Sequence, residues 1–592
     1  MNPQPVYNSF EVERIVEFKT IFPRSALPKI SECFRGYDKE HMLGGLLANL
    51  ANKVVGKPFY NPNYRGNEAD IDALRFFLSG KNVDLINQSI NNLYKAARYE
   101  RIPVENYMGA TEETVLYLLR EIMSVNCSVG DLAIEETEKK IFKAYLAANS
   151  LTIEKGFGKN PYNTNDSELY LAASFVSQLG SADFLYQDKK LLMMSQTIKC
   201  LLFFEYAERD SLLRPLIQRF CDLYGIKEWW MYPKAFWSVY ALTDGKASII
   251  NFRNPAIDEV SQYASVIDKS SITVTKVIPK KENEDYTAFR TCPLIKVSDY
   301  DYLVLNFQLL IERIYSGLYF DFRMLAEEEG IKQSDFKRHF STEFSEHSLF
   351  CGTLREALTN HFGVLMSEDD CLNADSSKDA LSASPPDFYA RQGNVVMLFE
   401  NKDMLMSKEL KEKGSIQDYI VFLRTRLYEN DKGSPKGVRQ LMNHVKKIRN
   451  GEFQRRWDSE CPRDAMVYPV IVVPEVKFTL QGVKNFLQRW QLETGIPMEN
   501  VKPIAYTDIG TLCLYQFEFA NKGIQSFLDE YYTQSDYTIL EKSKNFNDIP
   551  NAMMSFTDYL THTYNETLNR FADKWEEYIR KPLSESAIYE DA

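Results

Sequence analysis

The sequence predicts an α+β, multidomain protein: a helical first half, then an α/β domain in which helices flank a mixed central sheet. Three observations lead there. At 592 residues the chain exceeds what one hydrophobic core usually supports. Its first half repeats apolar residues at three- and four-residue intervals, the period of an amphipathic helix. Beyond residue 331 the order becomes helix, acidic loop, hairpin, helix, strand, helix, strand, helix, which suits a sheet covered by helices.

In chain order, residues 1–225 form the first expected domain. LGGLLANLANKVV, LINQSINNLYKAARY, EETVLYLLREIM and KLLMMSQTIKCLLFFEYAE all read as helices. Asn-Pro, Gly-Asn and Ser-Val-Gly-Asp separate them as turns, and no fixed-period repeat supports a solenoid. GFGKNPYN (156–163) has glycines but not the Gly-Lys-Ser/Thr ending of a phosphate loop, so it reads as a plain loop. Residues 226–330 make a small α/β or linker domain: SITVTKVI (271–278) alternates like a half-buried strand, 293–297 and 302–305 are further strands, and 307–320 is an apolar helix. The aromatics between Trp229 and Trp237 could stack on bases, but at these spacings they read as core. Residues 331–520 form the α/β domain, with 367–386 as an exposed polar insertion and the apolar segments 467–473 and 512–519 expected to complete its sheet. A helical segment over 521–592 is expected to pack on it.

Composition narrows the function. With 44% hydrophobic and 26% charged residues, the chain has the make-up of an ordinary globular protein. The longest apolar runs, such as 198–204 and 467–473, are core-sized rather than membrane-spanning. MNPQPVYNSFEVERIVEF has no basic start followed by an apolar stretch, which predicts no secretory leader. Nine cysteines are scattered singly, with no Cys-x-x-Cys and no histidine at a zinc spacing; this fits a reducing cytoplasm. A net charge of −12 argues against a protein that coats nucleic acid non-specifically, but leaves room for a local basic surface. The six histidines show no His-Glu-x-x-His, and there is no Gly-x-Ser-x-Gly, so zinc-protease and α/β-hydrolase chemistry lack their motifs.

The stretch that carries chemistry is PPDFYARQGNVVMLFENKD (385–403). Gly393-Asn394 is a turn dipeptide that permits positive φ. Residues 395–399 are apolar without interruption, as in a strand buried on both faces. Glu400 and Lys402 follow at i and i+2, so on an extended backbone both side chains point to one side, and Asp387 can meet them across the hairpin. Carboxylates supply hard oxygen ligands for Mg²⁺, with Mn²⁺ as a substitute, and leave positions for water and phosphate oxygens. A neighbouring lysine can orient the attacking water, or help deprotonate it if its own pKa is depressed.

This arrangement resembles the PD-(D/E)XK nuclease superfamily, the restriction-endonuclease-like fold. Pro386-Asp387 matches the PD element and Glu400-Asn401-Lys402 the (D/E)XK element on the next strand. The resemblance implies Asp387 and Glu400 as metal ligands, the backbone carbonyl of Asn401 as a third, and Lys402 as the catalytic lysine. It also implies an acidic residue on the preceding helix, for which Glu346 is preferred over Glu356, and a glutamine on the following helix, for which Gln440 is placed suitably. The matching stretch covers about residues 340–520.

The helix with Gln440 also concentrates positive charge. Lys436, Arg439, Lys446 and Lys447 are candidate nucleic-acid contacts, within a run from Lys432 to Arg456 opposed only by Glu452. The bland alternative is a solvated helix face. The expected function is a metal-dependent DNA endonuclease of restriction, phage defence or mobile-element biology, working as a homo-oligomer or with a defence-system partner. The alternatives are a non-catalytic nucleic-acid-binding or scaffold protein with a nuclease-like fold, and an RNA-cutting nuclease.

Overall fold

The computed structural model describes residues 13–63, 72–126, 133–156, 162–184, 188–243, 245–251, 263–375, 384–538 and 545–564. Helices predominate and the two larger sheets are mixed, so the α+β class holds. Among the described residues no helix is long and apolar enough to cross a membrane. The expected loop at 156–163 and the end of the C-terminal segment, from 565 onward, fall largely outside the described residues.

The chain forms two compact units, each gathered from separated stretches. One takes Glu11–Gly156 and Gln218–Asp321, the other Phe157–Ile217 and Phe322–Pro582. These units do not coincide with boundaries at 225, 330 and 520. Periodicity shows that 189–209 is helical, but the helix there is buried on nearly every side, and such a helix belongs to whichever core surrounds it.

In the first unit, α1 (Val83–Glu100), α2 (Glu112–Met123) and α3 (Ile134–Gly156) match the sequence expectation. Thr111 and Thr114 close a capping box at the start of α2. Thr114 then donates to Asn149 of α3 at 2.8 Å, and the Asn149 amide donates to the carbonyls of Val16 and Gly109. That buried junction pins β1 (Arg14–Ile15) parallel to β2 (Tyr107–Met108). A four-stranded sheet comprises β3 (Ser248–Asn251), β4 (Ser271–Thr273), β5 (Leu294–Lys296) and β6 (Asp301–Val304), in the order β3-β6-β5-β4. The strand expected over 271–278 stops early, because Lys276 turns back to hydrogen-bond Thr273. The helix expected over 307–320 breaks after Phe307–Glu312 and resumes at Leu318. Tyr232, Phe236 and Trp237 are buried, and the Tyr232 hydroxyl donates to the Arg313 carbonyl, so this aromatic run is core.

The second unit is built on a five-stranded sheet: β7 (Val364–Ser367), β8 (Phe388–Gln392), β9 (Val395–Asn401), β10 (Met466–Val473) and β11 (Ala505–Asp508), ordered β11-β10-β9-β8-β7. The pairs β7–β8 and β8–β9 are antiparallel; β9–β10 and β10–β11 are parallel. Gly393, at φ +56°, makes the expected turn between β8 and β9. The helices that matter here are α4 (Lys189–Arg209), α5 (Cys351–Leu358), α6 (Glu368–Ala374), α7 (Gly437–Arg449) and α8 (Ile509–Lys522).

The central strand β9 is buried on both faces. Val396 and Leu398 join a core with Val438, Leu441 and Val445 of α7. Phe399 points the other way and meets Phe388 at 6.2 Å, beneath Arg355 of α5. Glu400 and Lys402 continue the alternation on the α7 side. On β8, Arg391 and Tyr389 both bind the buried Asp458 carboxylate, which ties the hairpin to the loop before β10. Two expectations need correction. The segment 367–386 is not simply an exposed insertion, since Ser367 and Asp370 close a capping box that starts α6. The apolar stretch 512–519 lies in α8, not in a strand: Asp508 accepts from the Thr511 N–H and caps that helix, so the sheet ends at β11.

Candidate metal centre

At one edge of the second unit's sheet, the carboxyl end of β9 meets the start of β8. Phe388 pairs with Phe399, so the next cross-strand neighbours outward are Asp387 and Glu400. The Asn401 N–H donates to Asp387 Oδ2 at 2.7 Å, closing the two strands over the last pair. Lys402 Nζ donates to Glu400 Oε1 at 3.1 Å and lies 3.7 Å from Asp387 Oδ2. The hairpin therefore brings together Asp387, Glu400 and Lys402 as the sequence expects. Glu400 is only 1% exposed, and its second oxygen, Oε2, has no hydrogen-bond partner.

Two further carboxylates join from outside the hairpin. Carboxylate oxygens of Glu346, Glu368 and Asp387 lie within 4.8 Å of one another. Glu346 comes from a π-helical segment, Arg338–Phe350, that runs into α5; Glu356, one helix on, is exposed and outside this group. Glu368 is the residue the sequence reading missed. It opens α6, and its backbone N–H donates to the Asp387 carbonyl at 3.2 Å, so the capped helix and the hairpin are tied together. The signal was present: Ser367-x-x-Asp370 is a capping box, which places an ordered first turn in an otherwise polar stretch. His347 stands beside the group, 3.5 Å from Glu343 and 3.6 Å from Asp369.

The electrostatics follow from that crowding. Burial, then the Asp387 charge, raises the pKa of both Glu346 and Glu368. Burial also raises Asp387, against the pull of the Lys402 ammonium. Glu400 is pushed up to about 8, by burial first and the Asp387 carboxylate second. For Lys402, burial opposes the ammonium, yet Glu400 and Asp387 outweigh it and hold the pKa above the usual lysine value. Four carboxylates thus crowd around one ammonium. All-oxygen donors with excess negative charge suit a hard divalent cation, and the orphaned Glu400 Oε2 is a further donor.

Helix α7 packs against β9 and presents Gln440 and His444 one turn apart on one face, with Lys436 at its N-cap. The Lys436 charge lowers the pKa of Asp387, which sets the start of α7 beside the centre. Gln440 Oε1 is buried without a partner. The basic run is less available than its composition suggests. Arg439 is paired with Glu429 at 2.6 Å, and Lys447 donates to the Ser384 carbonyl at 2.8 Å. Arg449 donates to the carbonyls of Pro497 and Glu499, and Arg456 pairs with Asp375. Of the four expected nucleic-acid contacts, Lys436 faces the centre and Lys446 is exposed, whereas Arg439 and Lys447 hold the fold together.

No protein-family model, curated protein or solved structure matches this chain.

Proposed function

We propose that the chain is a metal-dependent phosphodiesterase that cuts DNA, with its centre at Asp387, Glu400 and Lys402. The observation that carries the reading is the meeting of these three with Glu346 and Glu368 at one sheet edge. Glu346, Glu368 and Asp387 would hold a Mg²⁺ ion, or Mn²⁺ in its place, with Glu400 and the Asn401 carbonyl completing the donor set. The bound cation would polarise a phosphate and lower the pKa of a coordinated water. Lys402, kept charged by its two carboxylates, suits the role of orienting that water and meeting the phosphate charge. A lysine acting as base needs a depressed pKa, and this one is raised. Of the four expected contacts, Lys436 and Lys446 would meet the backbone of the substrate. By family resemblance alone, the setting is restriction, phage defence or mobile-element biology.

The test is cleavage of plasmid, linear duplex, single-stranded DNA and RNA, with Mg²⁺ or Mn²⁺ and with a chelator. Metal-dependent nicking of DNA is expected. Asp387→Ala and Lys402→Ala should abolish it, with unchanged far-ultraviolet circular dichroism. Full activity in either variant sinks the assignment; cutting of RNA alone moves the substrate to RNA. Salt-sensitive binding without cutting under any divalent ion favours a non-catalytic binder.

A further inference from the structure

Behind the centre lie three buried polar groups that no described residue satisfies: Glu400 Oε2, Gln440 Oε1 and both ring nitrogens of His444. Unsatisfied groups of this kind are uncommon in native proteins, and each asks for an explanation. His444 is 2% exposed and sits in α7 among Leu441, Met442, Val445 and Ile448, where an apolar residue would pack without cost. Among the described residues it has no acidic partner, and burial drives its pKa down to about 3, so the ring carries one N–H donor and one bare nitrogen.

Gln440 and His444 lie one turn apart along α7, and Glu400 stands on the side of β9 against which α7 packs. At its start, the Lys436 charge acts on Asp387. Two turns on, the His444 ring meets Phe453 at 6.4 Å, and Phe453 meets Tyr389 at 5.3 Å. Tyr389 is two residues inward from Asp387 on β8, so α7 runs from the sheet edge toward its interior along the β8–β9 hairpin. Gln440 lies midway along this path, and the Lys402 charge reaches His444. The count of hydrogen-bonding atoms is informative. With Glu400 ionised, as it must be to ligate a cation, Glu400 Oε2, Gln440 Oε1 and the bare imidazole nitrogen are three acceptors, whereas the imidazole N–H is a single donor. The deficit is two donors, which one water molecule supplies.

We propose that His444 is a positioning residue of the metal centre: with one enclosed water it completes the hydrogen bonding of Gln440 and Glu400, and so holds Glu400 in the orientation that a cation needs. The inference rests on the metal-centre reading above. Outer partners of this kind orient a ligating carboxylate, and their loss typically weakens metal affinity about 10–100-fold. Lys402 fixes one oxygen of Glu400 from the solvent side; His444 and Gln440 steady the other from the core.

The test uses the full chain and Mn²⁺ alone as probe, followed by titration calorimetry, with metal-free melting measured alongside. His444→Phe should weaken Mn²⁺ binding about 10–100-fold without lowering the metal-free Tm. His444→Gln, which restores a donor and an acceptor, should recover most of the affinity. Unchanged binding in His444→Phe overturns the proposal, and a glutamine variant no better than phenylalanine overturns its hydrogen-bonding basis. If His444→Phe does not fold, the wild-type chain labelled with ¹⁵N-histidine decides: a His444 ring resonance that shifts on Mg²⁺ saturation supports the proposal, and one that stays still overturns it. Failure of the wild-type chain to bind either ion overturns the metal reading and this inference with it. Binding that His444→Phe leaves intact removes this inference alone.

Discussion

Burial, with like charge nearby, holds the carboxyls of the centre above their usual pKa, and the effect can be measured residue by residue. Glu368 adds a carboxylate beside Asp387, and burial first and the Asp387 charge second raise its pKa. Glu368→Gln is therefore expected to raise metal-free stability by up to about 1 kcal/mol in urea unfolding, while weakening Mn²⁺ binding at least ~10-fold. Lower stability together with intact binding would remove Glu368 from the donor set. Lys402→Met should do the opposite to stability, because it strands two buried carboxylates. Breaking a buried pair costs about 3–5 kcal/mol, and protonation of Glu400 should bring the loss to the lower end. A folded Glu400 pKa of about 8, above the usual value of 4.5, sets the pH dependence. The folded state binds more protons than the unfolded state between those values, so this group's effect is to lower metal-free stability as pH rises through that window. A cation must displace the Glu400 proton, so Mg²⁺ or Mn²⁺ binding should tighten from about pH 6 to pH 8 with proton release. Calorimetry in two buffers of different ionisation enthalpy checks it; no release means that Glu400 does not ligate. The hairpin residues were legible because three charged groups flank an uninterrupted apolar strand. His444 was not, because a lone histidine on an apolar helix face looks like any other core residue until its ring is found without partners.

Among the elements, α6 shows how a short piece of structure governs a site. Its capping box consists of Ser367 and Asp370, and its first residue is Glu368. Ser367→Ala should cost about 1 kcal/mol of stability, as loss of an N-cap does, and should also weaken metal binding because the first turn then frays. A melting shift without any change in Mn²⁺ affinity would show that Glu368 is held in place by something else. Strands β8, β9 and β10 and helix α7 were readable because each has one dominant period and clear punctuation. Helix α6 was hidden by composition: Asp, Ser and Asn are common in exposed loops, and only their spacing reveals the cap. Helix α8 was misread because a short apolar run fits a strand or a buried helix equally, and the deciding residue, Asp508, stands just before it.

At the scale of the whole molecule, the sequence reveals what each segment is more readily than which core it joins. The second unit recruits 157–217 from the middle of the helical half, and α4 lies against α8 within it. A fragment beginning at 331 would lack α4, whose Met193, Cys200, Phe203 and Phe204 are fully buried. Such a fragment should melt without cooperativity and bind a hydrophobic dye, because the core that α4 covers becomes exposed. A sharp two-state transition in the fragment would mean that α4 is dispensable. The basic run teaches a related lesson. Charge density is visible in a sequence, but whether a cation is free is decided by partners distant in the chain, such as Pro497 for Arg449 and Asp375 for Arg456.

The interleaving of the two units also bears on inheritance. The chain leaves each unit and later re-enters it, so neither is a contiguous stretch of sequence. A single recombination joint cannot lift out the carboxylate-bearing unit alone, since any piece that keeps 157–217 with 322–582 also carries 218–321 of the other unit. Lineages that exchange ready-made domains do so at breakpoints in exposed linkers between separately folding segments. Here the carboxylate-bearing unit and the unit that interrupts it must travel together, and variation between relatives is expected to accumulate by substitution and loop insertion rather than by wholesale replacement of one half.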